Sequence, residues 1–445
     1  MIIVGSEHTD GENMRFARLT AATLILMALW LAFVIVTALF GWWMRPIAPT
    51  GDSDAFFRQA ADRIAEQNAG NAAFMLIEDG AISREYYSTS KDLIDRDTVF
   101  ATASMSKWLT AAGVMKLVQD GEVELDAPMS AYVSRWALPT GEFDDNEITV
   151  RRLLSHTAGL TDELGFGDYH LDEVIPSLEE SLNNPRASDG RTDRIAVTVA
   201  PGTEWKYSGG SYLILQLLIE EVSGTSFEEY MREAFFIPLG MSRSSYEPLS
   251  SVDNNAGSFN RHGESTPIYQ YASSGATGFA TSTADLAKFV TAQILPQDTD
   301  SILNHNTLAA MRQAHGKTLG FDVWGLGTIL YAPTGTGDFV FGHDGSNDPA
   351  INSTARINPD TRDAIILLET GHPSLATNIG SQWVLWQTGY PDILDTDSVI
   401  QSMRLPGLLG LLIIFLASVY IGLRQKRRHG QHSVNTGQNR TSAIT

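Results

Sequence analysis

The chain has 445 residues and carries 31 Lys and Arg against 52 Asp and Glu, a formal net charge of -21. That length suits one large domain or two lobes rather than several small domains, and the acidity argues against a nucleic-acid partner, which calls for basic surface. There is no cysteine, which excludes disulfides, a thiol nucleophile and a thiolate metal site.

Leu19 to Met44 is an apolar run broken only by Thr and Gly, preceded by Arg15 and Arg18 and ending in the interfacial pair Trp42-Trp43. It is long enough to cross a bilayer, and longer than the apolar stretch of about 7 to 15 residues in a cleaved signal peptide. An uncleaved signal anchor is therefore expected. A second run, Leu405 to Leu423, is followed at once by Arg424, Lys426, Arg427 and Arg428; that basic block favours a second span over a buried C-terminal helix. With both flanks basic, residues 1–18 and 424–445 are expected in the cytoplasm and residues 45–404 outside it, a two-pass protein of the cytoplasmic membrane. The lipid bilayer is then a partner, and a double tether favours small-molecule or peptide substrates near the membrane surface.

A linker from Pro46 to Asp54 leads to an amphipathic helix predicted over about Ala55 to Gln67. Ala72 to Ile77 and Ala81 to Tyr87 read as a β-hairpin turning at Asp79-Gly80. Thr98 to Ala103 approaches a mostly apolar helix, which closes at Gly121. A polar connection follows, then a short helix ending near Trp136. Ile148 to Leu160 reads as a helix broken by glycine and contains His156, a candidate ligand or base that can equally be structural. Thr161 to Asp193 is acidic and irregular, the expected rim of a cleft. Pro201 to Gly210 is a turn before a helix over Ser211 to Val222, with Tyr207 at the junction, either aimed into a pocket or packing. Pro238 to Met241 ends another helix, and Gly275 to Ser282 precedes one starting near Thr283. Strands are predicted over Gly325 to Tyr331, Phe339 to Gly342, Pro349 to Ile357 and Ala364 to Glu369, then a helix over Leu375 to Thr388, then a polar tail without fixed structure after Arg428. Strands at both ends with helices between them predict an α+β fold: an antiparallel sheet closed by both ends of the chain, flanked by helices, with a helical lobe and a cleft between lobes.

The stretch that carries chemistry is Ala103-Ser104-Met105-Ser106-Lys107-Trp108. Ser104 and Lys107 stand one helical turn apart, so the amine can reach the hydroxyl. A serine hydroxyl needs a base, and an amine held out of water, with its pKa lowered from about 10.4, can be one. The start of a buried helix also favours developing negative charge. Ser104 as a mere helix cap is the competing reading. Ser88-Thr89-Ser90-Lys91 has the same spacing but is followed by a polar stretch, and is read as a loop with a solvated lysine. No Gly-x-Ser-x-Gly elbow, phosphate loop or His-Glu-x-x-His is present.

Taken together, Ser104-Met105-Ser106-Lys107, Leu153 to Leu160, Pro201-Gly202-Thr203 with Tyr207-Ser208-Gly209, Pro238 to Met241, and Gly342-His343-Asp344-Gly345-Ser346 resemble the serine β-lactamase-like hydrolases. The branch is that of class C β-lactamases, D,D-peptidases and related esterases, and the resemblance runs from about Phe74 to Gly371. It implies a β-lactamase/transpeptidase-like fold and a serine acyl-enzyme, with no cofactor and no metal. By the same resemblance Ser104 is the nucleophile, Lys107 its base or proton shuttle, and Tyr207 the phenol that helps move protons. The backbone N–H groups of Ser104 and Ser346 would form the oxyanion hole. His343, Gly345 and Ser346 would bind substrate, with His343-Asp344-Gly345 in the edge-strand place of the family's Lys-Thr-Gly. Two departures stand out: His343 replaces a lysine that attracts a substrate carboxylate, and Gly209 replaces an asparagine that orients the lysine. Both remove features tuned to β-lactams, so the expectation is a peptidase or esterase rather than an efficient β-lactamase. The alternative is a penicillin-binding or sensor-like protein that is acylated and turns over slowly.

Overall fold

Asp79 and Gly80 both take positive φ, 50° and 78°, the geometry of a two-residue hairpin turn, and fold β1 (Ala72–Glu78) against β2 (Ala81–Ser88). In the computed structural model, which describes residues 6–88, 93–160, 169–186, 194–294, 301–347 and 350–441, this hairpin forms one end of an eight-stranded antiparallel sheet. The remaining strands are β3 (Phe100–Ala101), β4 (Ala280–Thr281), β5 (Gly316–Thr318), β6 (Phe321–Trp324), β7 (Ile329–Pro333), β8 (Phe339–Asn347), β9 (Ile351–Asn358) and β10 (Asp363–Thr370). The order is β2-β1-β10-β9-β8-β7-β6-β5, with β3 and β4 paired separately. β1 therefore lies against β10, Ala72 opposite Glu369 and Ile77 opposite Ala364, so both ends of the residue 46–394 unit close one sheet, as predicted. Parts of the second Ser-x-x-Lys stretch and of the Thr161 to Asp193 rim, and Pro349, lie outside the described residues.

Side chains alternate across the sheet. On β10, Ala364, Ile366 and Leu368 enter a core shared with the helices Ser106–Gln119, Gly209–Ser223 and Thr283–Ile294, while Ile365 and Leu367 face the helices Ser53–Gln67 and Leu375–Thr388. Cover on both faces is why β10 reads as an unbroken apolar run. The Ser106–Gln119 helix is buried on all sides, Trp108, Leu109, Val114 and Met115 included, which places the Ser104 motif at the mouth of the larger core.

Three local expectations are corrected. The helix expected up to Trp136 is a single turn at Met129–Ala131; beyond it, the N–H groups of Ser134 and Arg135 bond the Glu221 carboxylate at 3.0 and 2.9 Å instead of a helical carbonyl. The strand expected from Gly325 begins at Ile329, because Gly325 and Gly327 sit where a Cβ would overlap the Met311 carbonyl and Ala111. Upstream, β5 and β6 form a hairpin that was not expected, its turn concealed because Leu319, not Asn or Asp, takes the left-handed position at φ 51°.

The second unit comprises Met1–Arg45 and Asp395–Thr445. Its helices Ser6–Leu39 and Thr396–Thr441 contain Met14–Leu39 and Thr396–Arg427, each long and apolar enough to cross a membrane. Thr23 meets Ser418 at 2.7 Å and Trp30 donates to the Pro406 carbonyl at 3.1 Å, so the two helices run antiparallel. The first helix closes before the end of the apolar run: Gly41 has φ 76°, and Trp43 turns back to bond Thr37 at 2.8 Å. The second starts ahead of Leu405 and continues to Thr441, so the tail expected to lack structure is helical. The break between units falls at Leu394/Asp395, ahead of that helix.

Glu369 is 1% exposed at the start of the Leu375–Thr388 helix, accepting from the Ala376 N–H and from Asn68 at 2.8 Å each. Burial pushes its pKa up from 4.5 to about 8 against those hydrogen bonds. Because the unfolded chain releases this proton first, Glu369 makes stability fall as pH rises between those two values. The unfolding temperature of the full chain in detergent should decline from about pH 5 to about pH 8, with a shallower slope in Glu369→Gln; equal slopes would rule the residue out as the source.

Candidate active site

The approach to Ser104 is fixed by Thr102. Its N–H and hydroxyl both donate to the Phe279 carbonyl, at 3.1 and 2.8 Å, and its carbonyl accepts from Ser353 Oγ at 2.8 Å. So anchored, the chain forces Ala103 to φ 49°, a left-handed conformation that costs a non-glycine residue about 1–2 kcal/mol. A 3-10 turn, Ala103–Met105, then feeds the Ser106–Gln119 helix. Ser106 secures this corner, donating to the Ala103 carbonyl at 2.7 Å and accepting from the Phe279 N–H at 2.9 Å. Ser104 caps neither element; its Oγ accepts from Lys107 Nζ at 3.2 Å.

Lys107 is 2% exposed. Its Nζ also donates to the Ala276 carbonyl at 2.8 Å and lies 5.0 Å from the centre of the Tyr207 ring. The Ser274–Thr277 turn that supplies this carbonyl is held by Thr110, which donates to the Gly275 carbonyl at 2.7 Å, and by Gln216, which accepts the Gly275 N–H at 2.9 Å. Sequence reasoning did not find this turn, because its contribution is a backbone carbonyl that any residue carries.

Tyr207 is half-buried in the loop before the Gly209–Ser223 helix, and His156 sets it in place. The N–H groups on either side of Tyr207 both end on His156: Lys206 N–H on its carbonyl at 2.9 Å and Ser208 N–H on its Nδ1 at 3.1 Å. The imidazole packs on the Tyr207 ring with centroids 4.6 Å apart, and equally close to Trp324. Because Nδ1 accepts, the ring proton sits on Nε2. Burial, with lesser effects from Lys107 and His343, holds the His156 pKa well below the usual value. Of the two readings left open by the sequence, the structure gives His156 the structural one, directed at a site residue.

β8 is an interior strand, fifth of eight, not the edge strand expected for His343-Asp344-Gly345. Its pairing with β7 stops at Gly342, however, so His343 to Asn347 pair only with β9 and are open on the other side. The turn before Ser104 packs over the face of this strand so closely that a Cβ on Gly345 would overlap the Thr102 carbonyl. Ser346 is exposed, with Oγ 3.4 Å from the Pro373 carbonyl. His343 is 1% exposed beneath the site; its Nδ1–H bonds the Asp344 carbonyl at 2.6 Å and its ring meets Trp324 edge-on. Burial takes its pKa down to about 3, with Lys107 adding to the shift and the Asp344 carbonyl opposing it. It is therefore neutral across the physiological range.

Asp344 points to the opposite face, where Arg356 joins it to Asp392 through bonds of 2.8 Å on each side and lies 3.8 Å from the centre of the Tyr331 ring. Arg356 is 1% exposed and Asp392 3%. Burial opposes the guanidinium charge, but Asp344, Tyr331 and Asp392 outweigh it and the Arg356 pKa is raised. Among the described residues no group of three His, Asp or Glu side chains converges as a metal site would require.

The bracket on Tyr207 is directly testable. His156→Ala should slow p-nitrophenyl acetate hydrolysis about 100-fold by releasing Tyr207. His156→Asn, which tolerates positive φ and offers an acceptor to the Ser208 N–H, should stay within about tenfold of the parent. Equal losses in both would leave His156 as general packing.

Residues 54–385 match the family model described as Beta-lactamase. Similar proteins include penicillin-binding protein 4 of Amycolatopsis lactamdurans, 28% identical over 294 residues, covering 62% of this chain and 74% of that one. Esterase EstB of Burkholderia gladioli is 28% identical over 207 residues, 42% of this chain and 49% of the esterase. A penicillin-binding protein of Bacillus subtilis (strain 168) is 27% identical, but the match spans only 39% of its length and 41% of this chain. Among solved structures, D-amino acid amidase from Ochrobactrum anthropi SV3 superposes with a TM-score of 0.58 at 21% identity, over 80% of this chain and 99% of the amidase. The chain thus belongs to the beta-lactamase family and has the β-lactamase/transpeptidase fold.

Proposed function

We propose that the protein is a membrane-anchored hydrolase that cleaves an amide or ester through an acyl-enzyme on Ser104. The observation that carries this reading is the buried Lys107 amine, 3.2 Å from Ser104 Oγ and held there by the Ala276 carbonyl. In the reaction, Lys107 takes the hydroxyl proton as Oγ attacks the substrate carbonyl carbon. The leaving nitrogen or oxygen departs with a proton passed by way of Tyr207, and water then adds to the acyl carbon, freeing the acid and restoring Ser104. Ser104 lies in the first turn of a helical run, where N–H groups have no helical acceptor; with Ser346 on the open side of β8 it supplies the oxyanion hole.

The anchoring reading rests on the two apolar helices. Their antiparallel pairing brings both tails to one end, and the basic residues Arg15, Arg18, Arg424, Lys426, Arg427 and Arg428 favour the cytoplasm for that end. Residues 46–394 then work outside the cytoplasmic membrane on D-amino-acid peptides, cell-wall fragments or small esters, in keeping with relatives named as penicillin-binding proteins and an esterase. One observation favours slow turnover instead: Gly209, at the head of the Gly209–Ser223 helix, offers no side chain to help orient Lys107.

Intact-mass spectrometry of the full chain in detergent separates the two readings. A fluorophosphonate adduct absent from Ser104→Ala is the expected result, and a penicillin adduct that decays with release of hydrolysed drug would extend the activity to β-lactams. A penicillin adduct that persists without product would favour the sensor-like reading. A folded parent that forms no fluorophosphonate adduct, or a Ser104→Ala protein that still forms one, would overturn the assignment of Ser104.

A further inference from the structure

An open groove is walled in part by the segments that lead into and brace the Ser104 turn. Ala101 stands just before Thr102, Thr277 just after the carbonyl that holds Lys107, and Ile351 pairs with Asn347 at the end of β8. Outward from these the surface is apolar and aromatic, formed chiefly by Tyr246, Leu249, Ile268, Tyr269 and Tyr271. Among the described residues Glu247 is the one charged side chain lining it.

The groove shares no residue with the opposite wall, where Tyr207 packs among His156 and Trp324. If Tyr207 passes the proton to the leaving group, the leaving group departs on that side and the acyl portion extends the other way. A carboxylate on the acyl portion would lose water with no cation among the described lining residues to meet it and Glu247 to repel it, and the neutral His343 under the strand offers no charge in compensation. An apolar chain would instead gain up to about fourfold in kcat/KM for each buried methylene.

We propose that this groove binds the acyl half of the substrate and selects an uncharged, apolar acyl group, an aliphatic chain of several carbons or an aryl group. The proposal rests on the acyl-enzyme reading above. Ser104 Oγ forms the new ester as the original carbonyl–oxygen bond breaks, the leaving oxygen takes the serine proton, and the acyl chain occupies the groove until water releases it as the free acid.

The test uses the full chain in detergent and p-nitrophenyl esters with one common leaving group: acetate, hexanoate, phenylacetate and hydrogen glutarate. kcat/KM should rise at least about tenfold from acetate to hexanoate and to phenylacetate, and should fall about tenfold from hexanoate to glutarate. Ile268→Trp, which fills the groove, should lower the hexanoate-to-acetate ratio, and Glu247→Lys should narrow the glutarate deficit. Equal rates along the acyl series, a preference for glutarate, or a length dependence that appears only when the alcohol of an acetate ester is varied would each overturn the proposal. The underlying reading has its own readout: a Ser104-dependent fluorophosphonate adduct with a flat acyl series removes the groove assignment alone, whereas no adduct removes both.

Discussion

The burial of one lysine amine dictates the architecture around the site. Lys107 is almost sealed from solvent, and a polar group withdrawn from water to that extent must find partners inside the protein. No described carboxylate pairs with it; its two partners are a serine hydroxyl and a backbone carbonyl. The carbonyl has to come from a turn brought edge-on to the helix, which requires Thr110 and Gln216 on neighbouring helices to fix both faces of the Gly275 peptide. The same turn runs on to Phe279, whose N–H and C=O secure Ser106 and Thr102. One short segment thus positions the amine and, through Thr102, the strained residue ahead of the serine.

That strain has a structural consequence. With Ala103 left-handed, the chain turns from β3 into the helix within three residues, and Ser104 emerges at the corner while Met105 and Ser106 are buried. The cost is met by the surroundings: Thr102 is bonded on both sides and β8 leaves no room for the turn to relax. On the other wall His156 is also left-handed, at φ 56°, and again the strained residue is the one that sets its neighbour. Both walls of the cleft are therefore held by backbone geometry that a looser packing would not sustain.

Much of this was legible in the sequence because it rests on periodicity or punctuation. The spacing of Ser104 and Lys107, the Asp79-Gly80 turn, Gly121 closing a buried helix and the span Leu375–Thr388 carry local signals that the tertiary structure leaves standing. What stayed hidden depends on partners distant in the chain or on atoms without side-chain identity. The Ala276 carbonyl is one, and the Glu221 carboxylate, which takes the N–H groups of a segment that reads as helix, is another. The depth of His343 was equally invisible: alternation along β8 shows that it and Asp344 face opposite ways, but which face lies under the site is decided by the packing of Trp324. Arg356, an interior β9 residue in an otherwise buried strand, gave no hint that its counter-ions lie on β8 and in the loop after the last helix of the sheet unit.

The Arg356 bridge also bears on how this site could change over time. A strand reading Lys-Thr-Gly, able to draw in a carboxylate, is two substitutions from His343-Asp344-Gly345, yet the Asp344 step cannot be taken alone without leaving Arg356 half-paired in a dry interior. A buried charge left with no partner costs about 3–5 kcal/mol; with Asp392 still bound and Asp344 20% exposed the loss here is smaller, yet it counts against a domain's total stability of about 5–15 kcal/mol. The passable route changes Asp344, Arg356 and Asp392 as a set, and the side chains on the far face of the sheet thereby govern which specificities lineages descended from this chain can reach.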